Sequence, residues 1–253
     1  MKSILLNKIF YPSKTYDFLR VGKPNDGGYL VEKRSFNKTE FVIGLGINDD
    51  WSFEAEFGKP FIGIDNQLSF KFLFKKFISE LIWNLFKFFQ LKRFKSTYKV
   101  FIKLLQYLKF KNNFINGWIY GPYDSNINFN LKKLIDKTQS NNIFLKVDIE
   151  GSEYRMLDDI YEIESKLTGM VIEFHDFDVH NQLVKNFINK TNMKLCHVHV
   201  NNYCTFYNDL PTLIEFTFST KPELINDSVP DLPHKLDQPN NIGVDEIKLN
   251  FKK

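Results

Sequence analysis

Only two cysteines, Cys196 and Cys204, stand among 253 residues, and no CxxC pair exists. That scarcity excludes a disulfide scaffold and a structural zinc finger, and it fits a reducing cytosol. Long hydrophobic runs are missing as well. The amino terminus, MKSILLNKIFYPSK, carries one short apolar run broken by Asn7 and Lys8, too short and too polar for a secretory signal. No run reaches the roughly 18 residues that span a bilayer, so a cytoplasmic protein is expected. Net charge is small, +4, but unevenly spread. Between Phe70 and Phe110 ten Lys/Arg face one acid, Glu80, a local +9 that leaves −5 for the rest of the chain.

What is present reads as a single α/β domain over residues 1–253, with a basic, aromatic helical insertion at 70–110 and an extended or loosely packed tail at 221–253 carrying Pro222, Pro230, Pro233 and Pro239. The insertion places apolar residues 74, 77, 78, 81, 82, 85, 88 and 89 at helical spacing with Lys71, Lys75 and Lys87 toward the other side, which predicts an apolar face on the core and a solvated basic face. A lid, a dimer contact or a surface for anionic substrates are the alternatives. Adsorption to a membrane surface is a lesser alternative and membrane contact is not the expectation, and no nucleic-acid module accompanies the charge.

The chain is organised around Ile143–Glu153, IFLKVDIEGSE. Five mostly apolar, β-prone residues suit a strand buried on both faces of a parallel sheet, and Asp148 and Glu150 follow where it ends, before a helix over Ser152–Ile160. Ligands of open α/β sheets bind at such strand ends, although a solvated end with Ser152 as helix cap accounts for the same residues. Upstream, Phe41–Gly46 enters a glycine pair, Asn48, Asp49 and Asp50 follow, and a helix is predicted over Ser52–Phe57. Phe61–Asp65 is a second strand, ending in an acid that can bind both ribose hydroxyls of an adenosine. The third glycine of the dinucleotide fingerprint is replaced by Asp49. Acids there repel a phosphate, so the loop favours a cationic cofactor, S-adenosylmethionine, over NAD. Further strands are expected at Gly117–Tyr123, Gly169–Asp176, Lys194–Asn202 and Leu210–Phe218, the last two antiparallel because the connection is too short for a crossover helix. Helices are expected at Asn130–Thr138 and Val179–Asn189. The fold class is thus a Rossmann-like, seven-stranded methyltransferase sheet with its last strand antiparallel and a helical insertion.

Taken together, RVGKPNDGGYLV, FVIGLGINDDWSFE, IGIDNQ, LKVDIEGSEYRML and VIEFH resemble the FkbM-type family of S-adenosylmethionine-dependent methyltransferases. The likeness covers roughly residues 20 to 66 and 115 to 220 but not 70 to 110, and KVDIEGSE carries most of it. It implies O-methylation of a sugar hydroxyl, on a nucleotide-linked or surface-polysaccharide sugar in bacteria. It also implies cofactor contacts from Gly44, Gly46, Asp49 and Asn66, a ribose contact from Asp65, and closure by Asp26, Gly27, Gly28 and Tyr29, which a plain turn would also explain.

For chemistry at a hydroxyl, Asp148, Glu173, His175 and His199 are expected to converge. His175 or His199 would be a general base with a pKa near working pH, oriented by a carboxylate such as Asp148. Alternatively Asp148, Glu173 and His199 would hold a divalent ion, Mg or Mn, that acidifies the hydroxyl. His197 and His199 as ordinary core residues, and His180 and His234 as surface residues, complete the reading. A nicotinamide-dependent oxidoreductase and a non-catalytic binding protein using 70–110 are the rival functions, and a homo-oligomer is left open.

Overall fold

The computed structural model describes residues 2–86, 91–120 and 128–251. Its centre is a seven-stranded mixed sheet of β1 (Phe41–Leu45), β2 (Phe61–Asp65), β3 (Phe114–Asn116), β4 (Ile143–Val147), β5 (Leu167–His175), β6 (Lys194–His199) and β7 (Leu213–Ser219). The spatial order is β6-β7-β5-β4-β1-β2-β3. From β5 through β3 neighbours are parallel, whereas β7 lies antiparallel between β5 and β6. Helices α1 (Lys33–Lys38), α2 (Ser52–Glu56), α3 (Phe70–Phe86), α4 (Leu91–Phe110), α5 (Leu131–Thr138), α6 (Leu157–Ile163) and α7 (Phe177–Lys190) complete the layers.

Strand alternation sends successive side chains into two cores. Leu145 and Ile172 join a cluster with Leu134 of α5, Ile160 of α6 and Phe187 of α7. Their neighbours Phe144 and Val171 join Phe53 of α2 and Leu73 of α3 on the other side. Because both faces are covered, β4 is buried at all five positions, as its apolar run requires. In α5, Asn130 caps the helix by accepting the Lys133 N–H, and Leu131, Leu134 and Ile135 point inward.

Four expectations are corrected. The third strand is Phe114–Asn116, not Gly117–Tyr123: Trp118–Ile119 pairs instead with Asn128–Phe129, and residues 121–123 lie outside the described ones. Ser152 makes no capping hydrogen bond; Glu153–Arg155 forms a 3-10 turn before α6. The insertion is two helices, and the row predicted to face the core does not: Phe74, Leu81, Ile82 and Leu85 are exposed, while Leu73 of α3 and Val100 and Leu104 of α4 are buried. Residues 87–90, including the predicted apolar positions 88 and 89, are outside the described residues. Finally, the tail is extended, one of its two expected forms, and not loosely packed, the other. Its Ile247–Phe251 strand pairs in parallel with Lys2–Leu6, and Leu232, Asn240, Ile247 and Leu249 are buried.

Candidate active site

The tips of β1, β2, β4 and β5 surround a cleft of about 670 Å³, within the usual range for a small-molecule site. At β1 the chain turns through Gly46, φ +73°, where a Cβ would come within 1.6 Å of the Asp148 carbonyl oxygen; only glycine lets the two strand ends pass this closely. Asp65 at the end of β2 accepts the Asn48 N–H through Oδ2 at 2.8 Å and those of Gln67 and Leu68 through Oδ1 at 2.7 and 3.1 Å. Gly46, Asp49, Asp65 and Asn66 all line the cleft. Gly44 does not, which corrects its expected role: its missing side chain leaves room for the Glu54 carboxyl, 2.1 Å from where a Cβ would stand.

The hairpin of strands Phe18–Gly22 and Gly28–Glu32 supplies another wall. Its turn is both a turn and part of the site: Asp26 and Gly27 line the cleft, whereas Gly28 and Tyr29 do not, and Gly28 lets the turn close against the Lys23 carbonyl. Tyr29 reaches inward and donates to Asp148 Oδ2 at 3.2 Å or Glu173 Oε2 at 3.4 Å.

At the other end of the cleft stand Asp148, Glu150, Glu173 and His175. The base of this group is a residue that spacing did not single out. Glu153, fully buried, bonds His175 Nδ1 at 2.9 Å with the same oxygen that accepts the Ile149 and Gly151 N–H groups. His175 Nε2 faces Glu150 at 3.3 Å and Asp148 at 4.0 Å. Burial disfavours its imidazolium, but the Glu153 hydrogen bond and the surrounding carboxylates outweigh it and raise the pKa to about 9. A carboxylate does orient the ring, as expected, but it is Glu153 rather than Asp148, and it holds the pKa above a neutral working pH. Burial, then Asp148 and Glu215, push the Glu173 carboxyl well up, and Asn201 Nδ2 donates to it at 2.7 Å.

Behind these lies Lys146, buried, 3.8 Å from Asp148. Burial works against its charge, but Asp148 and Glu54 keep its pKa raised. Glu54 is fully buried with neither carboxyl oxygen hydrogen-bonded, and desolvation lifts it to about 7. A carboxyl with a raised folded pKa loses stability as pH climbs from its unfolded value through the folded one. Chemical denaturation at pH 5 and pH 8 should therefore show Glu54→Gln gaining about 2.5 kcal/mol on the native protein across that interval; equal changes in both proteins would contradict an ionising Glu54.

The acidic loop is not a bare anionic site. Asp49 pairs with Lys76 of α3 and with Lys103 of α4 at 3.3 Å, and Asp50 pairs with Lys23 at 2.9 Å. The expected repulsion of a phosphate there is corrected accordingly: three lysines accompany the two acids.

His199 does not join the cleft. It is buried between Glu215 at 3.0 Å and Glu246 of the tail at 3.1 Å, and these carboxylates, against burial, raise its pKa well above the ordinary value. The expected metal set of Asp148, Glu173 and His199 is therefore corrected. The atoms that do approach one another are those of Asp148, Glu150 and His175, all within 4.8 Å. His180 and His234 are half-buried rather than on the surface, His180 with its ring 4.4 Å from Tyr154.

His197 is a core residue, bonded to Asp237 of the tail at 2.9 Å. Burial raises the Asp237 carboxyl, but the His197 interaction overrides it and holds the pKa at about 2. Such a depressed group stabilises above its unfolded pKa, about 3.8, and that contribution disappears as pH falls through about 2. Asp237→Asn is expected to lower unfolding free energy at pH 7 by about 3 kcal/mol in urea titrations; a change below about 0.5 kcal/mol would mean that the tail is not held through this pair.

The chain matches no protein-family model, and no curated protein was found to be similar to it.

Proposed function

We propose that the chain is an S-adenosylmethionine-dependent O-methyltransferase acting on a sugar hydroxyl, as its resemblance to the FkbM-type family implies. The observation that carries the reading is one cleft with Asp65 at the tip of β2 and the Glu153–His175 pair beside the tips of β4 and β5. The strand order β6-β7-β5-β4-β1-β2-β3, with β7 reversed, supports the Rossmann-like methyltransferase arrangement. The residues fit the cofactor. Asp65 and Asn66 offer polar groups for a ribose diol, and Asp26, Asp148 and Glu150 give the walls negative charge suited to a sulfonium and an ammonium.

When bound, this cofactor supplies a methyl carbon already activated by positive sulfur. The protein must align the acceptor oxygen and take its proton. His175 Nε2 is the base, with Glu153 at Nδ1 fixing the ring and stabilising the imidazolium. In the free protein His175 is protonated at neutral pH, because its pKa is about 9. That proton is held chiefly by Glu153, with Glu173 and Asp148 behind it, and a cation bound beside Asp148 would weaken the hold.

The lysines around Asp49 and Asp50 favour one second reading, a nicotinamide-dependent oxidoreductase whose pyrophosphate they would meet. Incubation with methyl-labelled cofactor and a panel of nucleotide-linked sugars separates the two. Label on a sugar hydroxyl is expected; hydride transfer from NADH with no label in any sugar would overturn the proposal. Activity that persists after thorough chelation assigns deprotonation to His175 alone, whereas loss restored by Mg or Mn assigns it to an ion at Asp148, Glu150 and His175.

A further inference from the structure

We infer that the α3–α4 hairpin is a docking surface for an anionic membrane. On α3, Phe70, Phe74 and Leu81 recur at spacings of a helical stripe; on α4, Phe94, Tyr98 and Phe101 do the same. All six are 37 to 58 % exposed, which is unusual for side chains of this size arranged in rows. Phe77, in line with the α3 stripe, packs its ring 5.7 Å from that of Phe101, so the two rows adjoin. The inward sides of both helices are already occupied by Leu73, Val100 and Leu104, and the outward rows are therefore surplus to folding.

Charge selects the occupant. The segment carries ten Lys/Arg against one acid, and Lys71, Lys75, Lys95 and Lys99 are exposed on the same two helices. A second copy of the chain would bring a like-charged face against this one, an arrangement that a twofold interface penalises. A surface of anionic headgroups over acyl chains satisfies both features at once, with aromatic side chains entering the boundary and lysines meeting the phosphates. No helix among the described residues is long and apolar enough to cross a membrane, so the hairpin would lie in the interface plane. Lys76 and Lys103 leave these same helices to hold Asp49, on the lining of the cleft, which fixes the docking face to the loop beside the site. Docking requires no methyl transfer.

Co-flotation of the whole chain with phosphatidylglycerol-rich vesicles and with pure phosphatidylcholine vesicles tests it. Binding to the anionic vesicles is expected to be at least tenfold tighter and to fall with added salt. Phe74→Ser combined with Phe94→Ser should weaken it at least tenfold with an unchanged unfolding midpoint, and each of Lys71→Gln, Lys75→Gln, Lys95→Gln and Lys99→Gln should weaken it about fivefold. Absence of flotation, equal binding to both vesicles, or a dimer in sedimentation that the double serine variant dissociates would each overturn the inference. S-adenosylhomocysteine binding on the same preparation keeps the readings apart. Lost flotation with binding intact removes the docking surface alone, and flotation without binding removes the methyltransferase reading alone.

Discussion

His175→Ala is expected to lower turnover by about 100-fold or more, the usual loss for a removed general base, while S-adenosylhomocysteine affinity stays within a few-fold. The separation follows from position. His175 lies with Glu150 and Asp148 beside the tips of β4 and β5, whereas the groups proposed for the nucleoside lie at the tip of β2. A pH profile adds an independent check. A base must be deprotonated to act, and the free protein holds His175 at about 9, so kcat/KM should rise with pH and level off near that value. Glu153→Gln weakens the main hydrogen bond that raises the pKa, so the inflection should move to lower pH as activity falls. An unchanged profile in Glu153→Gln, or full turnover in His175→Ala, would remove this pair from the chemistry.

The second large effect is on binding. Asp65→Ala is expected to weaken S-adenosylhomocysteine by about 100-fold or more, since hydrogen bonds to a charged group are worth about 1.5–3 kcal/mol each and a ribose diol offers two. Asp65 also accepts three backbone N–H groups, so the substitution disturbs the loops that carry Asn48 and Gln67. Asp65→Asn retains acceptor capacity for part of that network. Comparing the two by calorimetry, with unfolding midpoints alongside, separates lost ribose contacts from a collapsed loop. Equal affinity in the native protein and Asp65→Ala would place the nucleoside elsewhere.

The parts legible in the sequence are those fixed by neighbours in the chain. Ile143–Val147 reads as a doubly buried strand because five adjacent residues carry the signal, and Asp148 follows from where that run stops. Gly46 and Asp65 are likewise read from strand ends. The short link after β6 gives the antiparallel β7. What could not be read depends on residues far apart. Nothing near Asp49 announces that Lys76 and Lys103 will reach it across the fold. His199 looks identical to a catalytic histidine until Glu246, 47 positions on, is seen to close over it. Helical spacing in the insertion locates an apolar row but not which way it faces, because α4 supplies the covering side chains for a different row. Glu153 was visible as a second glutamate in the turn after β4, and only the fold shows its carboxylate beneath His175.

The central claim is that the nucleoside of a sulfonium cofactor occupies the cleft between Gly46 and Asp65. Isothermal titration of the native protein with S-adenosylhomocysteine and, separately, with NAD tests it most directly. The account predicts saturable binding of S-adenosylhomocysteine that Asp65→Ala weakens by about 100-fold or more, and no heat with NAD. Tight NAD binding with none for S-adenosylhomocysteine would contradict it.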